Sequence, residues 1–329
     1  VQGGSSLYKN EEQGVLKYVI KRLFFIVIAL FIASILIFLI VEAVPGDVAQ
    51  MILGQNVTEE ALQALRQKLG LDQPLPARYI DWIGGIVQGD MGESLSIPGV
   101  EVSELIIRRG RNSLFLAAAA TLFLVPISIL LGVFAGLNED SWIDNLVSTV
   151  SLIALSVPEF ISGTFMILIF SIWLGVLPAT SAIDPTGALL PQFSLLILPI
   201  LTVSLVLLGY VARMVRASVI DASRSYYART AVLKGISRFH VITRHILKNA
   251  LLPAVTIIAM NLGWLIGGII IVETVFGFPG LGRLVLFAIK QRDVPLIEAS
   301  VLVMGAAYLV LNLLADIIYT WLNPRIRYS

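Results

Sequence analysis

The sequence contains no cysteine and only two histidines, His240 and His245. Disulfides, thiol nucleophiles and thiolate metal sites are thereby excluded. The histidines stand five residues apart rather than four, so they share a helix face poorly, and a zinc site there is not expected. Charge is also scarce. Only 14% of the 329 residues are charged and the net charge is +1, which leaves no footprint for nucleic acid. No Gly-Lys-Ser or Gly-Lys-Thr sequence occurs, so the chain has no Walker A phosphate loop. A membrane-embedded hydrolase would need a buried nucleophile beside a base, yet both histidines lie in the most basic stretch of the chain.

What the chain has in quantity is apolar surface. Hydrophobic residues make up 57% and the mean hydropathy is +0.89, far above a soluble domain. The sequence therefore reads as an all-α polytopic membrane protein with six transmembrane helices. An N-terminal tail, 1–17, precedes a single membrane domain, 18–322, with spans at about 19–41, 114–137, 146–177, 193–212, 250–272 and 299–322. The run Leu23–Val41 has Ser34 as its one polar side chain, and about 20 such residues cross a bilayer. A polar insertion, 42–113, follows it. There Thr58 is expected to cap a helix ended by Gly70, and Tyr79, Trp82 and Ile83 are expected at the outer interface. Pro126, Pro158 and Pro199 interrupt spans. Glu159 puts a carboxylate at membrane depth, which costs about 2.5–3.5 kcal/mol on insertion scales. Glu159, Asn261 and Glu273 are the candidates to line a pathway, with a satisfied structural acid as the other reading of Glu159. Gly263, Gly267 and Gly268 are expected to allow close helix packing. Residues 273–298 read as a glycine-rich outer loop. Asp316, in the sixth span, has two readings: it reaches interfacial water, or Arg213 or Arg216 neutralises it. A final tail, 323–329, carries Arg325 and Arg327.

Residues 212–249 hold eight Lys/Arg against one acid, Asp221. The positive-inside rule keeps such a segment cytoplasmic, and with six spans both termini are then cytoplasmic too. The turn Asn138-Glu139-Asp140-Ser141 and the cluster Arg108, Arg109, Arg111 run against that rule locally. Tyr226–Lys234 contains good helix formers and stops at Gly235. Ser237 is expected to cap a second helix with Phe239, Ile242 and Ile246 on one face. Composition alone leaves two readings open: a basic anchor on anionic lipid, or a docking surface for a cytoplasmic protein.

Motifs distributed along the chain carry a resemblance. They include Val44-Pro45-Gly46-Asp47, Leu69–Leu75, Gly89–Ser94, Ser156-Val157-Pro158 and Leu177-Pro178. The more specific ones are Tyr227–Ala231 with Lys234-Gly235, Arg244-His245, Asn249–Pro253, Glu273–Phe276 with Phe278–Gly282, Arg292–Leu296 and Asn323–Arg327. Together they resemble the dipeptide/oligopeptide/nickel permeases of binding-protein-dependent ABC transporters, over nearly all of Tyr18–Arg327. The resemblance implies the type I importer permease architecture, placed in a bacterial or archaeal inner membrane. It implies that the loop is a coupling helix seated on a separate ATPase, with Tyr227, Ala228, Arg229, Thr230, Ala231, Lys234, Gly235 and Ser237 as its coupling residues. Ala231 would pack closely there, and Arg229 would meet partner carboxylates. In the wider importer family the loop begins Glu-Ala-Ala; here Arg229, Thr230 and Ala231 stand in those positions, and the glutamate is absent. No cofactor is implied on this chain; ATP and Mg belong to two cytoplasmic ATPase subunits. A second related permease and an extracytoplasmic substrate-binding protein complete the implied assembly. An ion-coupled secondary transporter is the rival, with broken spans of its own, but no inverted repeat of three spans is evident.

Overall fold

The computed structural model describes residues 3–43, 49–50, 58–68, 70–183 and 190–322. The motif Val44–Asp47 and the tail 323–329 lie outside the described residues. Among the described residues no strand forms, and one isolated bridge joins Glu93 to Glu101. The helices are α1 (Gly3–Glu42), α2 (Glu59–Lys68), α3 (Leu75–Gln88), α4 (Val102–Leu137), α5 (Trp142–Ser156) and α6 (Glu159–Met166), which continues as a π-helical segment, Ile167–Trp173. A 3-10 segment, Leu190–Leu196, leads into α7 (Ile197–Arg224); then follow α8 (Tyr226–Leu233), α9 (Arg238–His240) with a π-helical segment Val241–Ile246, α10 (Leu247–Phe276), α11 (Leu281–Gln291) and α12 (Val294–Leu322). Among the described residues five helices are long and apolar enough to cross a membrane, or up to seven if each of two bent pairs counts as one span. Helices run past the expected spans because hydropathy marks the apolar run, whereas helix propensity continues into charged residues. Thus α7 carries Arg213, Arg216 and Arg224 on the same helix as the apolar residues before them.

The chain divides into two compact units, residues 1–112 with 280–309, and residues 113–279 with 310–329. In the first unit α3 lies on α1. Ser34, Phe38 and Glu42 are spaced by four and share one helix face. Onto that face Tyr79 brings its hydroxyl 2.8 Å from Ser34 Oγ, Tyr79 and Trp82 set their rings 5.5 and 6.0 Å from that of Phe38, and Arg78 forks onto Glu42 at 2.9 and 2.5 Å. The aromatics expected at the lipid interface are therefore engaged by a neighbouring helix, which offers the Tyr79 hydroxyl a polar partner as well. Thr58 caps α2, its Oγ1 accepting from Ala61 N at 3.4 Å, and Gly70 follows with φ +67°. A core of Val102, Leu105, Ile106, Leu281, Leu284 and Leu296 is closed by a polar knot. Asp293, fully buried, accepts from Ser94 Oγ at 2.5 Å, Ser96 Oγ at 2.6 Å and Ser96 N at 3.0 Å. Two sequence motifs about 200 residues apart are thus one hydrogen-bonded feature.

The second unit is built around α7, most of whose apolar positions are buried. Gly132 and Gly136 of α4 face it four residues apart. A Cβ at Gly132 would lie 2.5 Å from Ala212 O, and one at Gly136 2.8 Å from Arg216 O. Gly209 of α7 makes the same approach to α5, with Ser151 O 2.6 Å from a Cβ built there. These are the small residues that bring backbones together. Gly267, by contrast, has nothing within 4 Å of such a Cβ, so the expectation placed on that glycine is corrected. The third expected span is sharply broken: α5 and α6 meet at 112° around Val157-Pro158, where proline withdraws a backbone donor. The stretch expected to be an outer loop from residue 273 begins as helix, since α10 continues to Phe276 and stops at Gly277, φ +66°.

Candidate coupling surface and pathway residues

Ser225 starts α8 as its N-cap, with Oγ accepting from Ala228 N at 3.4 Å. One face of the short helix turns inward. Ala228 and Ala231 are buried, in a cluster with Val215, Val219, Val241 and Ile246. The sequence reading had Ala231 pack closely; in the structure both alanines pack against the chain's own α7 core. The opposite face is open. Tyr226, Leu233 and Phe239 are 88%, 86% and 72% exposed, and Tyr227, Arg229, Thr230, Lys234, Gly235 and Ser237 are exposed beside them. Gly235 ends the helix at φ +78°, with nothing within 4 Å of a built Cβ. The conformation, not crowding within this chain, is what requires glycine there.

Ser237 stands at the N-cap of α9, but its hydroxyl lies 2.9 Å from His240 Nδ1 rather than on a backbone N–H. The expected apolar face is corrected at Phe239 alone: Ile242 and Ile246 both pack into the buried cluster. Val241 and Ile246 are buried while Phe239 points outward. The π-helical segment explains this, because i→i+5 pairing rotates side chains off the 3.6-residue period. A groove of about 560 Å³ runs beside α8, lined by Leu137, Glu139, Arg224, Arg229, Leu233 and Arg238 among others.

The acidic turn that violated the charge rule is occupied by its own cations. Asp144, buried at the start of α5, receives Arg216 through both Nε and Nη2, the latter at 2.7 Å. It also accepts from Asp140 N at 2.9 Å. Glu139 receives Arg224 at 2.8 Å. Two arginines of the basic stretch are thereby tied to the α4–α5 turn, and Arg216 is not the partner of Asp316. Sequence reasoning missed Asp144; the signal was an acidic turn where a basic one was expected.

The pathway candidates fall in different settings. Glu159 opens α6 at the bend, half-buried, and a Cβ on Gly268 would touch its Oε1 at 3.4 Å. Asn261 lies on α10 two turns from Gly268, about 10 Å along the same face. Its Nδ2 donates to Ile257 O at 2.8 Å, beside a small cavity lined by Leu124, Leu207 and Val211. Glu273 is fully buried and accepts from Ser113 Oγ at 2.5 Å. Five residues beyond Gly268, it leaves the face that Glu159 meets. The structure thus aligns Glu159 with Asn261 and turns Glu273 elsewhere.

The described chain is thus a helical membrane protein with a span broken at Pro158 and an exposed helix–glycine–helix in its basic stretch. Residues 128–328 match the family described as binding-protein-dependent transport system inner membrane component, and residues 15–100 match its N-terminal counterpart. The chain belongs to that family. It is 38% identical over 315 residues to the glutathione transport system permease protein GsiC of Shigella flexneri, covering 96% of this chain and all of the relative. It is 37% identical to the Escherichia coli protein of the same name, with the same coverage. With a Sinorhizobium fredii protein named "Probable peptide ABC transporter permease protein" it shares 35% over 311 residues, 94% of this chain and 99% of that one. The chain is thus a permease subunit of an ABC importer. It is a translocation subunit, not an enzyme, and the ATPase resides on a separate polypeptide. The secondary-transporter alternative is not favoured.

Proposed function

We propose that this subunit forms half of a pathway for a peptide-like solute and is driven through the 226–240 surface. The exposed ridge Tyr226–Leu233–Phe239 carries this reading, since it stands on a helix whose buried face, Ala228 and Ala231, is packed into the α7 core. An ATPase gripping the ridge would move α7 with it, because packed helices shift as bodies rather than deform. Arg229 and Lys234 are exposed beside the ridge and suit carboxylates on the ATPase. The basic end is cytoplasmic in this reading, as are both termini. The assembly is this permease, a related second permease, two ATPases holding ATP and Mg, and an extracytoplasmic binding protein docking on the first unit. Glutathione and peptides, named for the relatives, set the solute class. The path uses Glu159 and Asn261, with Glu273 held as a buried support. Reconstitution with the ATPase tests it. Leu233→Asp should abolish ATP-driven uptake of labelled dipeptide and release the ATPase on gel filtration, and normal uptake by that variant would sink the reading.

A further inference from the structure

In the second unit α5 and α7 run side by side in opposite directions. Arg216 reaches Asp144 at one end, and further along a Cβ on Gly209 would meet Ser151 O at 2.6 Å and Leu155 Cγ at 3.3 Å. Beside this contact lies a groove of about 620 Å³, lined by Asn145, Ser148, Leu152, Leu155, Tyr210 and Arg213 among others. That volume is typical of small-molecule sites. Its lining is graded. Asn145, Ser148 and Arg213 stand toward the Asp144–Arg216 end. Leu152 lies two turns, about 10 Å, further along α5 than Asn145, and Leu155 about one turn beyond that.

The groove is positive at its polar end, and no acid is among its lining residues. Arg216, which also lines it, is held by Asp144. Arg213 is exposed, and no hydrogen bond or ion pair engages it among the described residues. A guanidinium forks onto phosphate as it does onto carboxylate. The matching ligand is therefore an anion at one end and an alkyl chain at the other. Depth points to its source. Arg213 is the first charged residue of α7, directly after the apolar run. Tyr210 and Trp142, the latter one turn before Asn145, are exposed, and Leu146, Val150 and Ile153 turn apolar side chains outward on α5. Amphipathic aromatics at the edge of an apolar wall mark the headgroup level of a bilayer. We propose that the groove seats one anionic phospholipid, its phosphate on Arg213 and an acyl chain along Leu152 and Leu155. A zwitterionic lipid fits less well, because the lining offers its ammonium no carboxylate. The leaflet is the cytoplasmic one, and in that the inference rests on the orientation proposed above. Since α7 leads directly into α8, the lipid bears on the helix through which the ATPase would act.

The test uses the assembled transporter in detergent, stripped of lipid and titrated with dioleoyl phosphatidylglycerol or dioleoyl phosphatidylethanolamine. Retained lipid is counted by native mass spectrometry. The tightest-held lipid should be phosphatidylglycerol, favoured about three- to tenfold over phosphatidylethanolamine. Arg213→Gln should remove that preference, with melting temperature and subunit assembly unchanged. Arg244→Gln, which deletes an exposed cation outside the groove, should keep it. Leu152→Trp, at an exposed position of the wall, should weaken retention of this first lipid. Equal retention of the two lipids by the wild type, an equal loss in Arg213→Gln and Arg244→Gln, or displacement by millimolar inorganic phosphate overturns the proposal. So does a groove closed by the second permease, which would leave Arg213→Gln without effect. If Arg213→Gln fails to assemble, Leu152→Trp decides it. ATP-driven dipeptide uptake is read in parallel. Uptake with no selective lipid removes the site and leaves the importer reading standing, whereas selective lipid without uptake keeps the site and removes that reading.

Discussion

Asp144→Asn isolates the tie between the α4–α5 turn and α7. The carboxylate is 2% exposed and Arg216 is 28% exposed. Cutting a fully buried pair by removing one partner costs about 3–5 kcal/mol. Here the guanidinium can turn partly to water, and asparagine keeps one acceptor for Asp140 N, so the expected loss is about 1–3 kcal/mol. The assay is a double-mutant cycle of Asp144→Asn with Arg216→Gln, read by thermal unfolding of the purified permease in one detergent. The geometry predicts non-additivity of about 1–2 kcal/mol. Because the same tie holds the end of α7 that leads into α8, both single variants should also weaken ATPase stimulation by the loaded binding protein. Losses that simply add, within about 0.5 kcal/mol, would show that the pair does not act as a unit and refute the argument.

Gly235→Val should uncouple hydrolysis from uptake while Gly235→Asn retains it, because the left-handed backbone costs an ordinary residue about 1–2 kcal/mol and asparagine tolerates it; paired ATPase and uptake assays check this. Gly132→Val forces side-chain atoms into α7 backbone and should lower stability by about 1–3 kcal/mol or more, whereas Gly267→Ala should leave the melting temperature unchanged. Asp293→Ala removes the acceptor of three hydrogen bonds from Ser94 and Ser96; a loss of about 2–4 kcal/mol is expected, seen as faster proteolysis of the segment around residues 90–100.

Much of the membrane architecture was legible because an apolar run of about 20 residues has few other uses. The α8–Gly235 turn was legible because glycine at a helix end has one dominant meaning. The insertion's α2, with Thr58 and Gly70 at its ends, was readable for the same reason. Other features depend on pairings between distant residues. Nothing local joins Asp293 to Ser94, or Asp144 to Arg216. Close packing was read at Gly263, Gly267 and Gly268, whereas the α7 backbone crowds Gly132 and Gly136 and leaves Gly267 open. Ile242 and Ile246 face the core as read, but Phe239 was misplaced because a π-helical segment follows it and breaks the period on which such assignments rest. Ala228 and Ala231 stood out in the sequence as coupling residues, and in the structure their small size serves the chain's own core.

The most direct test of coupling through α8 uses the absence of cysteine, which makes any introduced thiol unique in the chain. Leu233→Cys is labelled with a maleimide in nanodiscs, with and without the ATPase subunits, and Val87→Cys, exposed in the other unit, is the control. The account predicts that the ATPase protects position 233 and leaves position 87 as reactive as before. Equal labelling of Leu233→Cys in both states, with the ATPase demonstrably bound, would contradict it.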